Sequence, residues 1–139
     1  MDQLADMIYP RASHGICINN RFIYVCAGKS ETETPQKTFE RYDTSLNSWE
    51  RLPDCLVAAQ RPLLVTLNEK YIFKLGGILA DDHRSSTIER FDIAKKEWSM
   101  IDFIIKEEGK TLKSTGFGFL PMMTGVQISY NSLLVEYYD

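Results

Sequence analysis

The sequence repeats itself at a nearly constant offset, and this repeat restricts the possible folds more than any other feature. The matching pairs are segment 19–28 with 68–77, segment 39–43 with 88–92 and Trp49 with Trp98, all at an offset of 49 residues, and Arg11 with Arg61 at an offset of 50. An offset that holds over several separate blocks indicates that one supersecondary unit is used more than once. The chain of 139 residues is therefore expected to contain two full copies of one unit.

Each copy has the pattern of four short β-strands, here called a to d. In the first copy the expected strands are 15–18, 22–26, 38–42 and 48–52. These segments are either apolar runs or alternate apolar with polar residues, and they are rich in β-branched and aromatic side chains. Asn19 and Asn20 predict a tight turn between a and b, and Pro53 ends strand d because proline cannot donate to a ladder. No segment has convincing helical periodicity, so the predicted fold class is all-β, with four-stranded antiparallel meanders.

Four-stranded sheets that recur every ~50 residues are typical of β-propeller blades. At this point the sequence resembles the kelch-repeat family, whose pattern is an arginine with a nearby histidine, a strand ending in two glycines, a tyrosine, and a tryptophan after six intervening residues. The residues that carry the resemblance are Arg11, His14, Gly28, Tyr42 and Trp49, and then Arg61, Gly76, Gly77, Phe91 and Trp98. The second repeat departs from the pattern, because it lacks the histidine and has Phe91 in place of tyrosine. The resemblance covers roughly residues 11–101.

These signature residues have a structural interpretation. Glycine permits unusual backbone angles and close backbone approach where strand b ends. The two tryptophans are expected to pack between sheets with one polar atom paired. His14 is expected to make a hydrogen bond between blades.

The repeat divides the chain into a partial propeller. The expected parts are a blade at 11–60, a blade at 61–101, a long connection at 102–114 and an incomplete blade at 115–139. In the incomplete blade, the preferred alignment makes 125–129 strand a and begins strand b at 133–135. The other alignment makes 135–139 strand c.

The ends of the sequence are not expected to close a ring. Segment 4–7 resembles 52–55, which follows strand d, so the chain begins as if a strand d preceded it. Propellers need about four to eight blades to close. We therefore expect an incomplete propeller with open faces: a fragment of a longer propeller, a truncated gene model, or a protomer that other chains complete.

The long loops all lie on one face of the expected blades. In a meander the b–c and d–a loops lie on the same face. The long loops are 29–37 and 79–86 between b and c, and 53–60 and 102–114 between d and a. Because loops on a rigid scaffold often carry function, this face is predicted to bind a partner protein. The candidate residues are Lys29, Glu31, Glu33, Asp81, Asp82, His83 and Arg84.

Composition argues against several other functions. A net charge of −3 disfavours a nucleic-acid partner. The sequence has no apolar run long enough for a membrane span and no signal-peptide pattern, so the expected location is the cytoplasm. Cys17, Cys26 and Cys55 are expected to be reduced thiols. The two histidines lie far apart and no CxxC pair occurs, so neither a metal nor a cofactor is expected.

The kelch resemblance implies a non-catalytic protein–protein interaction module, either a scaffold, including cytoskeletal ones, or an adaptor such as a substrate receptor of ubiquitin ligases. The alternative is a fragment of a propeller enzyme or carbohydrate-binding propeller of the galactose-oxidase-like or sialic-acid-epimerising kind. Such enzymes need polar or metal-binding residues around the central channel. The presumed inner strands carry mostly apolar residues at 16–18 and 64–66, which argues against an enzyme.

Overall fold

Two four-stranded meanders form the part of the chain that the structure describes in most detail. The structure is a computed structural model, and it describes residues 3–101 together with the strands 104–107, 110–113, 124–129 and 134–138. The first sheet contains β1 (Gly15–Asn19), β2 (Phe22–Cys26), β3 (Phe39–Asp43) and β4 (Ser48–Leu52). The second contains β5 (Leu63–Leu67), β6 (Tyr71–Leu75), β7 (Ile88–Asp92) and β8 (Glu97–Ile101). All neighbours within these sheets are antiparallel and consecutive in sequence, which confirms the all-β prediction.

A third sheet has a different order. Its strands are β9 (Ile104–Glu107), β10 (Lys110–Lys113), β11 (Thr124–Ser129) and β12 (Leu134–Tyr138). Their order is β10-β9-β12-β11, and β12 runs parallel to β9. The β9–β10 hairpin lies inside segment 102–114, which the sequence pattern presents as a connection. Residues 115–123 of the expected incomplete blade lie outside the described residues. The sheets described here do not close into a ring, so the propeller is incomplete.

The a–b turns of the first two sheets differ by one residue. In the first sheet Asn19 pairs with Phe22, which leaves Asn20 and Arg21 as the turn, with Asn20 at φ 55°. In the second sheet Leu67 pairs with Tyr71, so the turn has one residue more. The expected turn at Asn19 and Asn20 is therefore displaced by one residue.

This extra residue changes which positions correspond before strand b. Ser13 and Arg61 have nearly the same positive φ, 55° and 52°, and both come two residues before a strand a. Arg61 therefore corresponds to Ser13, and the pairing of Arg11 with Arg61 in the sequence is not a structural equivalence. The true offset is 48 residues up to strand a and 49 from strand b onward.

Aromatic side chains fill the space between the first two sheets. The ring of Phe39, on β3, lies 4.8 Å from the ring of Phe91 and 5.0 Å from the ring of Trp98, centroid to centroid, in edge-to-face geometry. The ring of Tyr24 lies 5.8 Å from Phe39 on the first sheet. Phe39, Tyr24 and Phe91 are all buried. This interface is the core that joins the two sheets, and aromatic pairs of this kind add about 0.5–1.5 kcal/mol each beyond their buried area.

Each tryptophan holds the segment that enters its own sheet. The Trp98 Nε1–H donates to the Pro53 carbonyl at 2.9 Å, and Pro53 directly follows β4. The Trp49 Nε1–H donates to the Ala5 carbonyl at 2.9 Å. The segment around Ala5 thus occupies on the first sheet the place that the segment after β4 occupies on the second. This agrees with the similarity of 4–7 to 52–55 in the sequence.

A buried carboxylate on strand c binds the same entering segment in each sheet. Glu40 accepts the Ile8 and Tyr9 backbone N–H groups at 2.7 and 3.1 Å, and its Oε2 lies 2.6 Å from Arg11 Nη2. The side chains of Glu40 and Arg11 are fully buried. Buried charges of this kind are tolerated when they are paired and hydrogen-bonded.

In the second sheet Glu89 does the same with a different cation. It accepts the Leu56 backbone N–H, and its Oε2 lies 2.5 Å from Lys74 Nζ, with both charged side chains at most 1% exposed. Lys74 Nζ also donates to the Val57 carbonyl at 2.8 Å. The counter-charge comes from strand b of the sheet itself, at the position where the first sheet has Val25.

The first sheet keeps one apolar face open among the described residues. Ile16 and Ile18 are 56% and 64% exposed. A cavity of about 250 Å³ lies beside Ile16, with Tyr42 and Trp49 in its lining. The equivalent aromatic pair of the second sheet is covered by Phe39, so the open face is the one expected for an incomplete propeller.

Replacing Lys74 with Met should lower the free energy of unfolding by about 3 kcal/mol or more, because Glu89 would stay buried without its counter-charge. The double variant K74M/E89Q should be more stable than K74M, since a neutral amide keeps an acceptor for the Leu56 N–H. Urea unfolding followed by tryptophan fluorescence measures both. Equal losses in the single and double variants would contradict this account of the ion pair.

Candidate functional site

In each of the first two sheets, the b–c loop is bonded to the d–a segment that leads into that sheet. Ala12, before strand a, forms an isolated β-bridge with Lys29 in the first b–c loop. Gln60 and Ile78 form the equivalent bridge in the second sheet. The b–c loop of each sheet is therefore fixed to the d–a segment that precedes it, on one face of the blades.

Glycine is required where these segments cross. Gly28 and Gly77 have φ of 92° and 105°. A Cβ on Gly28 would lie 2.6 Å from the Ala12 carbonyl oxygen, and one on Gly77 would lie 2.8 Å from the Ala59 Cβ. Neither approach is possible for a side-chain carbon, so these two glycines permit the loops to abut. Gly76 of the second repeat, at φ 64°, is replaced in the first by Ala27 at φ 60°.

The two b–c loops have the same backbone turn. In the second loop the Leu79 N–H donates to the His83 carbonyl at 2.8 Å, and the Asp82 N–H donates to the Leu79 carbonyl at 3.0 Å. The first loop repeats these bonds between residues 49 positions earlier, with both distances at 2.9 Å. Glu33 and Asp82 occupy the equivalent left-handed position, at φ 63° and 65°. The repeat in the sequence thus produces two copies of one loop shape.

The first loop carries three of the candidate binding residues. Lys29 Nζ and Glu33 Oε2 lie 2.8 Å apart, and the Glu33 side chain is 76% exposed. Glu31 is exposed at the tip of the same loop. The loop therefore presents one internal ion pair and one further carboxylate to solvent.

The second loop carries the other four, and all of them are exposed. His83 Nδ1 lies 2.9 Å from Asp81 Oδ2. The hydrogen bond and charge of Asp81 raise the pKa of His83, and the same contact lowers the pKa of Asp81. Asp82 and Arg84 complete the set. All seven residues lie in the two b–c loops, as expected, and both loops lie on the same face.

The aromatic residues of the kelch signature occupy packing positions instead of this surface. The Tyr42 and Trp49 rings lie 5.2 Å apart and the Phe91 and Trp98 rings 5.1 Å apart, so the two pairs are equivalent. Arg61 is exposed, unlike Arg11.

His14 was expected to make a hydrogen bond between blades, and its Nδ1 does not make one within the described part of the chain. Its Nδ1 is buried without a partner among the described residues, where it lines the cavity of the open face. Burial and the charge of Arg11 lower its pKa.

The described residues contain no group of three or more His, Cys, Asp or Glu side chains arranged to hold a metal ion. Within residues 3–101 and the later strands, no helix has the length and hydropathy needed to cross a membrane.

Comparisons with known proteins agree with the repeat geometry. The kelch-motif family model matches residues 10–56, which contain the whole first sheet. Human (Homo sapiens) Kelch-like protein 15 is 34% identical over 94 residues, which cover 68% of this chain and 15% of that protein. Beta-scruin of Limulus polyphemus is 30% identical over 103 residues, covering 68% of this chain and 11% of that protein. The chain thus spans at most 15% of the length of these relatives. The matched motif, the two similar blades and these relatives together show that the chain belongs to the kelch-repeat family.

Proposed function

We propose that this chain is a non-catalytic protein–protein interaction module of the scaffold or adaptor kind, and that it binds its partner through the b–c and d–a loops. The observation that carries the proposal is the duplicated b–c loop. Two loops with the same hydrogen-bonded turn present charged side chains on one face. A repeated, outward-facing turn of this kind suits recognition of an extended protein surface.

The loop frame supports binding because it is already ordered. The bridges at Lys29 and Ile78 and the close approach at Gly28 and Gly77 fix the loop bases. Binding to such loops costs less conformational entropy than binding to loops that must first be ordered. The side chains at the tips stay exposed and available for contacts.

Charge suggests the chemistry of the partner. On these two loops the four carboxylates outnumber the three cations; they are Glu31, Glu33, Asp81 and Asp82 against Lys29, Lys37 and Arg84. We therefore propose a partner protein with a basic contact surface. Complementary charge of this kind acts mainly on the association rate and on partner choice.

We also propose a cytoplasmic location, with a cytoskeletal structure among the sites where such a scaffold would act. The three cysteines are free thiols, which fits a reducing compartment. Further blades, from a longer chain or from other protomers, would complete the propeller around this module.

The triple variant D81A/D82A/R84A should lose partner binding, because it removes the exposed charges of the second loop. The test is affinity capture with the purified chain as bait and quantitative mass spectrometry of the retained proteins. We expect partners to fall by about tenfold or more, the effect of ~1.4 kcal/mol.

The matched control is K95A/E97A, which changes one exposed residue of the c–d turn and the exposed first residue of β8, on the opposite face. It should retain the same partners as the unmodified chain. Circular dichroism checks that both variants fold. Full retention by the loop variant, or loss in the control alone, would contradict binding through this face.

A proton NMR titration should separate the two histidines. His83 should titrate above the ordinary value of 6.5 because the Asp81 carboxylate stabilises its charged form, and His14 should titrate below it because burial disfavours charge. D81N should lower the pKa of His83 and leave that of His14 unchanged. An unchanged His83 pKa in D81N would show that the Asp81–His83 pair does not form in solution.

A further inference from the structure

Two of the three cysteines meet at the junction of the first two sheets. Cys26 is the last residue of β2, and Cys55 lies three residues beyond β4, in the connection to the second sheet. Across the first sheet Cys26 pairs with Phe39, and Phe39 pairs with Leu52. The ends of these three strands therefore lie in one row at the edge where the connection leaves.

Backbone hydrogen bonds turn the connection back over this row. The Cys55 N–H donates to the Lys37 carbonyl at 2.9 Å, and the Ala27 N–H donates to the neighbouring Thr38 carbonyl, also at 2.9 Å. Cys55 itself and the residue that follows Cys26 are thus fixed to adjacent carbonyls. Glu89 of the second sheet accepts the Leu56 N–H, so the residue after Cys55 is bonded to that sheet.

The two thiols lie in the same buried cluster between the sheets, close enough for each side chain to shift the pKa of the other. Cys26 is fully buried and Cys55 is 2% exposed, and both belong to the core between the sheets. Both are free thiols. Cys55 Sγ also donates to the Val57 carbonyl at 3.4 Å.

The surroundings make the two thiols chemically different. Burial raises the pKa of Cys26, and its contact with Cys55 adds to this. The hydrogen bond from Cys26 lowers the pKa of Cys55, and the nearby Lys74 ammonium contributes in the same direction. Cys55 Sγ and Lys74 Nζ bond the same Val57 carbonyl. The ammonium therefore lies beside Cys55 and favours its thiolate over that of the fully buried Cys26. Cys17, in contrast, is half-buried on β1, and burial raises its pKa to about 12.

We propose that Cys26 and Cys55 are a redox-sensitive pair that hydrogen peroxide converts to a disulfide, linking β2 to the connection between the sheets. Peroxide is a small oxidant that can reach a buried thiol when the junction opens locally. The fixed backbone on both sides keeps the two sulfur atoms together for the second step.

The reaction balances in two steps. The Cys55 thiolate attacks one peroxide oxygen, so that an S–O bond forms, the O–O bond breaks and hydroxide leaves, giving a sulfenic acid. The Cys26 sulfur then attacks the Cys55 sulfur, the S–S bond forms and the S–O bond breaks. The hydroxyl that leaves combines with the Cys26 proton as water, and the Cys55 proton joins the first hydroxide. In sum, two thiols and one peroxide give one disulfide and two waters, and a dithiol reductant reverses the bond.

The test is mass spectrometry of the full chain treated with hydrogen peroxide. After catalase removes the oxidant, remaining thiols are alkylated in denaturant without reduction. We expect the loss of two hydrogen atoms, a single alkylated thiol at Cys17, and recovery of three alkylated thiols after dithiothreitol. Arg21, Lys29 and Arg51 separate the cysteines into different tryptic peptides, so the linked pair is identified directly. Three alkylated thiols after peroxide, a linked peptide containing Cys17, or bonds between chains in place of the internal one would overturn the proposal.

Matched variants test the order of the two steps. C17A should form the disulfide as the unmodified chain does. C26A should accumulate a sulfenic acid at Cys55 that dimedone traps, and C55A should give neither product. Circular dichroism reports whether each variant folds, and the result for the unmodified chain decides the proposal if one does not. A dimedone adduct at Cys26 in C55A, as strong as that at Cys55 in C26A, would overturn the assignment of Cys55 as the attacking thiol.

Discussion

A single buried carboxylate on the third strand organises each blade. Glu40 and Glu89 accept backbone N–H groups from the segment that enters their sheet, so these donors need no water in the interior. Once the segment is fixed there, the tryptophan of the same sheet holds its carbonyl, and its later residues reach the b–c loop to form the isolated bridge. The position of the loop face therefore follows from an interaction in the core.

Much of this architecture was predictable because its signals are local. Alternating apolar and polar residues at 38–42 and 48–52 predict strands, although β3 proves to be buried on both faces, and Pro53 marks the end of strand d. The polar loops at 29–37 and 79–86 were expected on one face because meander topology alone requires it. The packing of Trp49 and Trp98 followed from their size and amphipathic character.

Other features were not predictable because they depend on contacts between distant residues. The match of Asn19 with Asn68 concealed an extra turn residue, since identity at one position says nothing about which backbone groups pair. Lys74 looked like an ordinary alternating strand residue, and only the fold shows that its ammonium is buried against Glu89. The proximity of Cys26 and Cys55 likewise depends on a connection that folds back across three strands. The strands at 104–107 and 110–113 were missed because the charged residues around them favour a solvated connection.

Glu40 and Glu89 take their counter-charges from different parts of the chain, so the two sheets do not depend equally on the segments that enter them. Arg11 belongs to the entering segment, so separating that segment from the first sheet would strip Glu40 of its backbone donors and its cation together. Lys74 belongs to the second sheet, so Glu89 would keep its cation if the connection moved away. The second blade is the more self-contained electrostatic unit. Moving the entering segment away would leave a paired charge in the second blade and an unpaired one in the first, so the loss is smaller at the connection after β4.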